Sequence, residues 1–330
     1  MLNRRDFVAA SAGGLLVMAT GEMDSALASE DRGKATARVA LISGADRWTG
    51  IPAALDLLGV NPVAGKKVLL KPNFNTADPF PAGTHNDTLR ALARKLKAMG
   101  AAAITIGERC GPPETAEVLA DKGIPQLCRE EGLGLVNFEE LPDSEWVRVR
   151  PAGSHWRDGF EVARPVLEAE CVVATCCLKT HGYGGVFTMS LKLAVGITRK
   201  RNMTELHTSP FSMRKMIAEI NQAYRPELLV MDGLEAFTDG GPAHGTLKRP
   251  GVILATTDRV ALDALGLAVL KEAGSNRKIM ETPIFAQEQI ARAVELGLGV
   301  ASPLDIEIVT GDERSRSHAE KLQAILRSES

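Results

Sequence analysis

Short apolar runs rich in β-branched residues recur along the chain at 39–43, 68–71, 103–107, 133–138, 171–175, 228–232, 252–255 and 306–310. Several carry apolar side chains at consecutive positions, as a strand does when both of its faces are covered. Between them, apolar residues return every three or four positions over 89–99, 116–131, 213–224, 260–273 and 284–296, the spacing of helices with one buried face. Thr282-Pro283 supplies a helix start, a capping hydroxyl before a proline at the first helical position. Strand and helix alternate from end to end. The fold expected is α/β: a mostly parallel, doubly wound sheet with helices on both faces. The stretch 141–161, rich in Pro, Trp, Gly and charged residues, interrupts the alternation and marks an insertion or the boundary of a second lobe.

The first residues follow a different pattern. Asn3-Arg4-Arg5-Asp6-Phe7-Val8 puts paired arginines ahead of an apolar run at 9–20 that contains Gly13 and Gly14, and Ala26-Leu27-Ala28 offers a small-x-small cleavage site. The run is shorter than the roughly 18 apolar residues that a membrane span needs. The expectation is a twin-arginine signal over 1–28, cut after Ala28, with the twin-arginine export machinery as partner. The product would be periplasmic or otherwise exported. Its single α/β domain would occupy 29–330, with a core at about 38–311. That route carries proteins already folded, often around a bound group.

Composition adds limits. Apolar residues make up 45% of the chain and charged residues 24%, enough to bury a core. Taking Arg4, Arg5, Asp6, Glu22 and Asp24 from 39 basic and 41 acidic residues leaves 37 and 38 after cleavage. So even a balance suggests neither a nucleic acid nor an anionic membrane as partner. The five cysteines, Cys110, Cys128, Cys171, Cys176 and Cys177, form no CxxC pair and no ferredoxin-type run. Packing explains them best, and no self-contained iron–sulfur cluster is expected.

The polar residues of interest follow strands, where open α/β sheets bind ligands. Lys71-Pro72-Asn73-Phe74-Asn75 places a cation and two amides at one strand end. In Thr84-His85-Asn86-Asp87, Thr84 reads as an N-cap with His85 in the first turn of the helix, where an anion is favoured. Glu108-Arg109 ends another strand. The densest cluster is Leu178-Lys179-Thr180-His181-Gly182-Tyr183-Gly184-Gly185, in which the glycines permit close approach of a ligand. Thr188 and Lys192 then share a face if the following segment is helical. This loop fits neither the GxxxxGK[ST] nor the GxGxxG order. Asp232 and Asp239 lie in glycine-rich turns that suit metal ligation, acid–base work or plain turn chemistry. Asp258 reads as a helix-start carboxylate, and Asp263 reads equally as an i, i+4 partner of Arg259 or as a site residue.

Taken in order, these pieces resemble the family known as domain of unknown function 362. The matching residues are Lys71-Pro72-Asn73-Phe74-Asn75, Thr84-His85, Glu108, Leu178-Lys179-Thr180-His181, Thr188-Met189-Ser190-Leu191-Lys192 and His207. They continue through Asp232-Gly233, Gly240-Gly241-Pro242-Ala243-His244-Gly245 and Thr257-Asp258-Arg259-Val260-Ala261-Leu262-Asp263. The resemblance names no established activity. It implies relatives fused to ferredoxin-type domains, whose cysteine pattern is not found here.

The function expected is that of an enzyme acting on a small anionic metabolite. Lys71, Lys179, His181 and Lys192 are its catalytic candidates; Asn73, Thr84, Gly184, Gly185, Thr188 and Asp258 its ligand-binding ones. His85, Glu108, His207, Asp232 and Asp239 are candidate ligands for a divalent metal. The alternative is a non-catalytic periplasmic protein that holds a ligand or cofactor, or helps to mature a partner. Either way the clusters are expected to meet in one cleft with Lys179 and His181 near its centre.

Overall fold

The computed structural model describes residues 36–328. Twelve strands are present among them: β1 (Ala37–Ser43), β2 (Lys67–Lys71), β3 (Ala103–Glu108), β4 (Gly134–Asn137), β5 (Trp146–Val149), β6 (Phe160–Ala163), β7 (Cys171–His181), β8 (Val186–Thr188), β9 (Leu228–Gly240), β10 (Gly245–Lys248), β11 (Val252–Thr256) and β12 (Ile306–Val309). The helices are α1 (Arg47–Leu58), α2 (Asn86–Ala98), α3 (Thr115–Asp121), α4 (Ile124–Glu131), α5 (Arg164–Leu167), α6 (Ser190–Leu193), α7 (Asn202–His207), α8 (Met213–Ile220), α9 (Arg259–Glu272), α10 (Arg277–Glu281), α11 (Glu288–Glu295) and α12 (Glu313–Ser328).

The main sheet runs β12-β1-β11-β9-β7-β2-β3-β4, with β10 and β8 paired to the long arms of β9 and β7. Its neighbours are parallel except at β11, which is antiparallel to both β1 and β9. Seven strands of the main path therefore point their carboxyl ends to one edge. The α/β fold is as the alternating pattern required.

Strand residues alternate between two cores, which is why these strands are apolar throughout. In β1, Val39 and Leu41 join the core under α9, whereas Ala40 and Ile42 join the core under α1 and α2. In α2, Leu89, Leu92, Ala93 and Leu96 are buried at helical spacing against that second face. A third cluster of Trp146, Trp156, Phe160, Met216 and Ile217 covers the small antiparallel sheet β5-β6. The interrupted stretch 141–161 is this addition, and the described residues fall in one compact unit.

Some boundaries depart from the sequence pattern for local reasons. The helix expected over 116–131 is broken by Gly123 at φ 68 into α3 and α4. Pro283 opens a 3-10 turn, and extended Gln287 holds the start of α11 back to Glu288. α1, with Pro52 inside it, was not legible as a helix. The core also passes the expected limit of 311, because α12 buries Ala319, Leu322 and Leu326. Among the described residues no helix is long and apolar enough to cross a membrane. The expected signal at 1–28 lies outside the described residues.

Candidate functional site

β2 and β3 end side by side, so Lys71 and Glu108 meet at the carboxyl edge. Both side chains are 1% exposed, and Lys71 Nζ donates to Glu108 Oε1 and to the Pro72 carbonyl at 2.8 Å. Glu108 Oε2 accepts the Phe74 N–H at 2.9 Å, and Oε1 accepts that of Arg109 at 2.9 Å. Gly196 closes over this pair: a Cβ there would stand 2.7 Å from Lys71 Nζ and 2.8 Å from Glu108 Oε1. The residue must be glycine because of that approach.

β7 continues past the sheet and carries Lys179, wholly buried, whose amine donates to the Ala82 carbonyl. It then turns through 182–185 into β8, which brings Thr188 back opposite Lys179. α6 follows and presents Lys192. Its start is held by Asp263 of α9, which accepts from the Ser190 hydroxyl at 2.6 Å and from the Ser190 and Leu191 N–H groups at 2.7 and 2.9 Å. Burial lifts the Asp263 carboxyl to about 6.

Lys71, Asn73, Glu108, Lys179, Thr188 and Lys192 line one cavity, with Arg109, Gly196 and Pro242 completing its wall. Its volume of about 40 Å³ admits a few waters or one carboxylate-sized group, given ~10–15 Å³ of such space per water. Inside it, Asn73 Oδ1 and Thr188 Oγ1 are buried without a hydrogen-bond partner, although buried polar groups are almost always bonded. Lys192, half-buried, makes no hydrogen bond to the described residues. Arg109 is fixed by carbonyls of Cys110, Val195 and Thr198.

The electrostatics follow from three amines and one guanidinium around a single carboxylate. Burial pushes Lys71 and Lys179 below the ordinary lysine range, and Glu108 upward against the pull of Lys71. Lys192 lacks such a carboxylate. Burial, with Lys179 and Arg109 nearby, lowers it to about 7. Burial and the charges of Lys192, Lys179 and His207 hold His181 down to about 2, so its imidazole stays neutral. His181 Nδ1 is also buried without a partner. His181 and Lys192 flank Gly185, where a Cβ would lie 3.0 Å from the ring nitrogen and 3.1 Å from Lys192 Cε. Next to it Val186 holds φ 66, a left-handed conformation that costs a β-branched residue about 1–3 kcal/mol.

The structure does not gather every expected residue. Thr84 is not the helix cap: its hydroxyl accepts the Asn73 N–H at 2.8 Å and so braces the cavity loop. His85 is the N-cap of α2 instead, with Nδ1 accepting from Asp87 N at 3.1 Å, and it lines a separate cleft with Arg47 and Phe80. Asp232 is saturated by Arg47 (2.7 Å) and Thr88 (2.5 Å). Asp239 is exposed and accepts its neighbour's Gly240 N–H. His207 is exposed on α7 and bonds the Met203 carbonyl. Asp258 caps α9 and accepts Val260, Ala261 and Val300 N–H groups, so it binds backbone rather than ligand. Asp263 turns to α6 and not to Arg259, which bonds Asn221 and Tyr224. Thr188 and Lys192 share the cavity but no helix, since Thr188 ends β8. Gly184 packs toward Met213 and away from the cavity lining. The five-residue metal set is thus dispersed, and among the described residues no three His, Cys, Asp or Glu are placed to hold a metal. The cysteines are all free and buried, and burial lifts Cys177 to about 11.

Sequence reasoning did not single out Gly196, and it flagged the Glu108-Arg109 pair at a strand end but left Arg109 out of the candidate residues. Gly196 carries no local signal, because its partners are more than 80 residues away.

Fold and cavity together define an α/β protein with a small, cation-lined cavity on the carboxyl edge of its sheet. Residues 68–268 match the family described as domain of unknown function (DUF362), and the chain belongs to that family. It is similar to the thylakoid-associated protein sll1697 of Synechocystis sp., with 25% identity over 205 residues, 60% of this chain and 61% of that protein. The chain thus spans about three fifths of the length of that relative. Among solved structures it is similar to the lactate racemase apoprotein from Thermoanaerobacterium thermosaccharolyticum, at 13% identity and a TM-score of 0.45 over 87% of this chain and 85% of that one.

Proposed function

We propose that the protein is an enzyme that binds the carboxylate of a small anionic metabolite in the lysine cavity and moves a proton with Lys192. The supporting observation is a half-buried amine lowered to about 7, with no hydrogen bond to the described residues, beside the buried and partnerless Asn73 Oδ1 and Thr188 Oγ1. An amine with that value is part neutral at neutral pH and serves as a general base. Lys179 and Arg109 supply fixed positive charge for the carboxylate and for charge developing next to it. Lys71 is held by Glu108 and acts as a positioning residue. His181, neutral and next to Gly185, offers a hydrogen bond rather than a charge.

The test is a panel of glycolate, oxalate, malonate and inorganic phosphate, scored for binding by calorimetry. Exchange of carbon-bound hydrogen next to the carboxylate is followed by NMR in D2O for glycolate and malonate. Binding with exchange that falls at least ~100-fold in Lys192→Met supports the enzyme. Tight binding without exchange favours the alternative of a ligand-holding or maturation protein. Absence of any binding contradicts both.

We also propose export through the twin-arginine machinery, on the strength of Arg4-Arg5 and Ala26-Leu27-Ala28. Changing Arg4 and Arg5 together to Lys is expected to leave uncleaved protein in the cytoplasm. Unchanged processing and export would contradict the assignment.

A further inference from the structure

A second polar device stands on the same edge of the sheet, and it shares no lining residue with the lysine cavity. Ser43 is the last residue of β1, and its Oγ lies 2.7 Å from Nδ1 of His318 on α12. The other ring nitrogen, Nε2, lies 2.6 Å from Oε2 of Glu272 at the end of α9. A carboxylate only accepts, so Nε2 carries the ring proton and Nδ1 keeps its lone pair for the serine hydroxyl. The hydrogen bonds therefore run from Ser43 to His318 and from His318 to Glu272. That is the order of a nucleophile, its base and the carboxylate that orients the base. The two ring nitrogens are exchanged relative to the usual serine-hydrolase arrangement, which leaves the proton balance unchanged.

A tie between β1, α9 and α12 needs no open space, yet Ser43, His318 and Glu272 line a cavity of about 550 Å³. Lys248, Arg249, Arg314 and Lys321 line it as well, four cations beside one carboxylate. Gly44, at φ 75, follows Ser43, and a Cβ there would collide with the Arg314 guanidinium. The glycine thus admits a cation beside the serine.

We propose that Ser43 is an acylable nucleophile and that this cleft takes an ester whose acyl part keeps a second negative charge, a hemi-ester of a dicarboxylic acid. Ser43 Oγ bonds to the ester carbonyl carbon as its proton passes to His318 Nδ1. The C–O bond to the alcohol then breaks, and the alkoxide leaves with that proton. Water attacks the acyl–Ser43 ester, gives a proton to His318 Nδ1, and Ser43 departs with it, so one ester and one water yield one acid and one alcohol. The N–H groups of Ser43 and Gly44 already bond Ser315 Oγ (3.0 Å) and the Gly251 carbonyl (2.8 Å). Stabilising the tetrahedral oxygen therefore falls to Arg314.

The test uses the exported, cleaved protein and a fluorophosphonate, in which Ser43 displaces fluoride and its proton goes to His318. One adduct mapping to Ser43 is expected, absent in Ser43→Ala and formed at least ~100-fold more slowly in His318→Gln. Mono-p-nitrophenyl glutarate is expected to turn over about tenfold faster than p-nitrophenyl acetate, with the preference lost in Arg314→Ala. Should His318→Gln fail to fold, a labelling rate slowed in Glu272→Gln carries the same reading. No adduct on Ser43, or an adduct formed equally fast in the folded His318 or Glu272 variants, would overturn the nucleophile. Equal turnover of the two esters would overturn the anionic substrate class.

Discussion

Asp232, buried, and Lys192, half-buried, are both ionisable side chains near the carboxyl edge of one sheet, but their surroundings differ. Asp232 accepts from Arg47, Thr88 and the Leu234 N–H, so its charge is answered entirely by this chain. Lys192 meets only other cations, and next to it Asn73 Oδ1 and Thr188 Oγ1 find no partner. A saturated cluster holds structure together; an unsaturated one is built for something that arrives later. Residue type alone does not separate the two, because both clusters carry the residues that a metabolite site needs.

Mutations should split along that line. Asp232→Ala leaves Arg47 and Thr88 without their acceptor, and is expected to cost about 3 kcal/mol of stability in denaturant unfolding while anion affinity changes little. Lys192→Met should do the reverse, abolishing anion binding while raising stability at neutral pH on the order of 2 kcal/mol. The sign follows from the lowered value. Between about 7 and the ordinary 10.5 the folded state binds fewer protons than the unfolded one, so stability rises with pH across that window. The gain from Lys192→Met is therefore largest below about pH 7 and fades toward 10.5. If instead Lys192→Met destabilises and Asp232→Ala abolishes binding, the comparison is inverted and the account fails.

Much of this was legible in the residues. Continuous apolar runs such as Val39, Ala40, Leu41 and Ile42 announce a strand buried on both faces, and eight such runs sufficed for the α/β fold. Lys71, Asn73, Glu108 and Lys179 were picked out because they sit at strand ends, and Thr188 and Lys192 for a helical spacing that the structure does not keep; all six line one cavity. The errors have two causes. His85 and Asp258 cap α2 and α9, where capping and ligand binding ask for similar side chains, whereas Asp232 within β9 and Asp263 within α9 are taken up by partners distant in sequence. Only the third dimension shows that Asp258 bonds Val300 N–H and Asp263 bonds Ser190. α1 was hidden by Pro52 within it, and Gly196 by the long separation from the ion pair that it covers.

The most direct measurement is proton linkage on anion binding. At pH 8 Lys192 is largely neutral, and a carboxylate held by Lys179 and Arg109 raises its proton affinity, so that part of the bound protein carries the charged form while the rest keeps the free amine that acts as base. Calorimetric titration of the best-binding anion of the panel, repeated in buffers of different ionisation enthalpy, is expected to show uptake of roughly half a proton per anion. Uptake should vanish in the Lys192→Met protein together with the affinity. Binding with no proton uptake, or equal affinity without Lys192, would contradict the claim that this amine is the working group of the cavity.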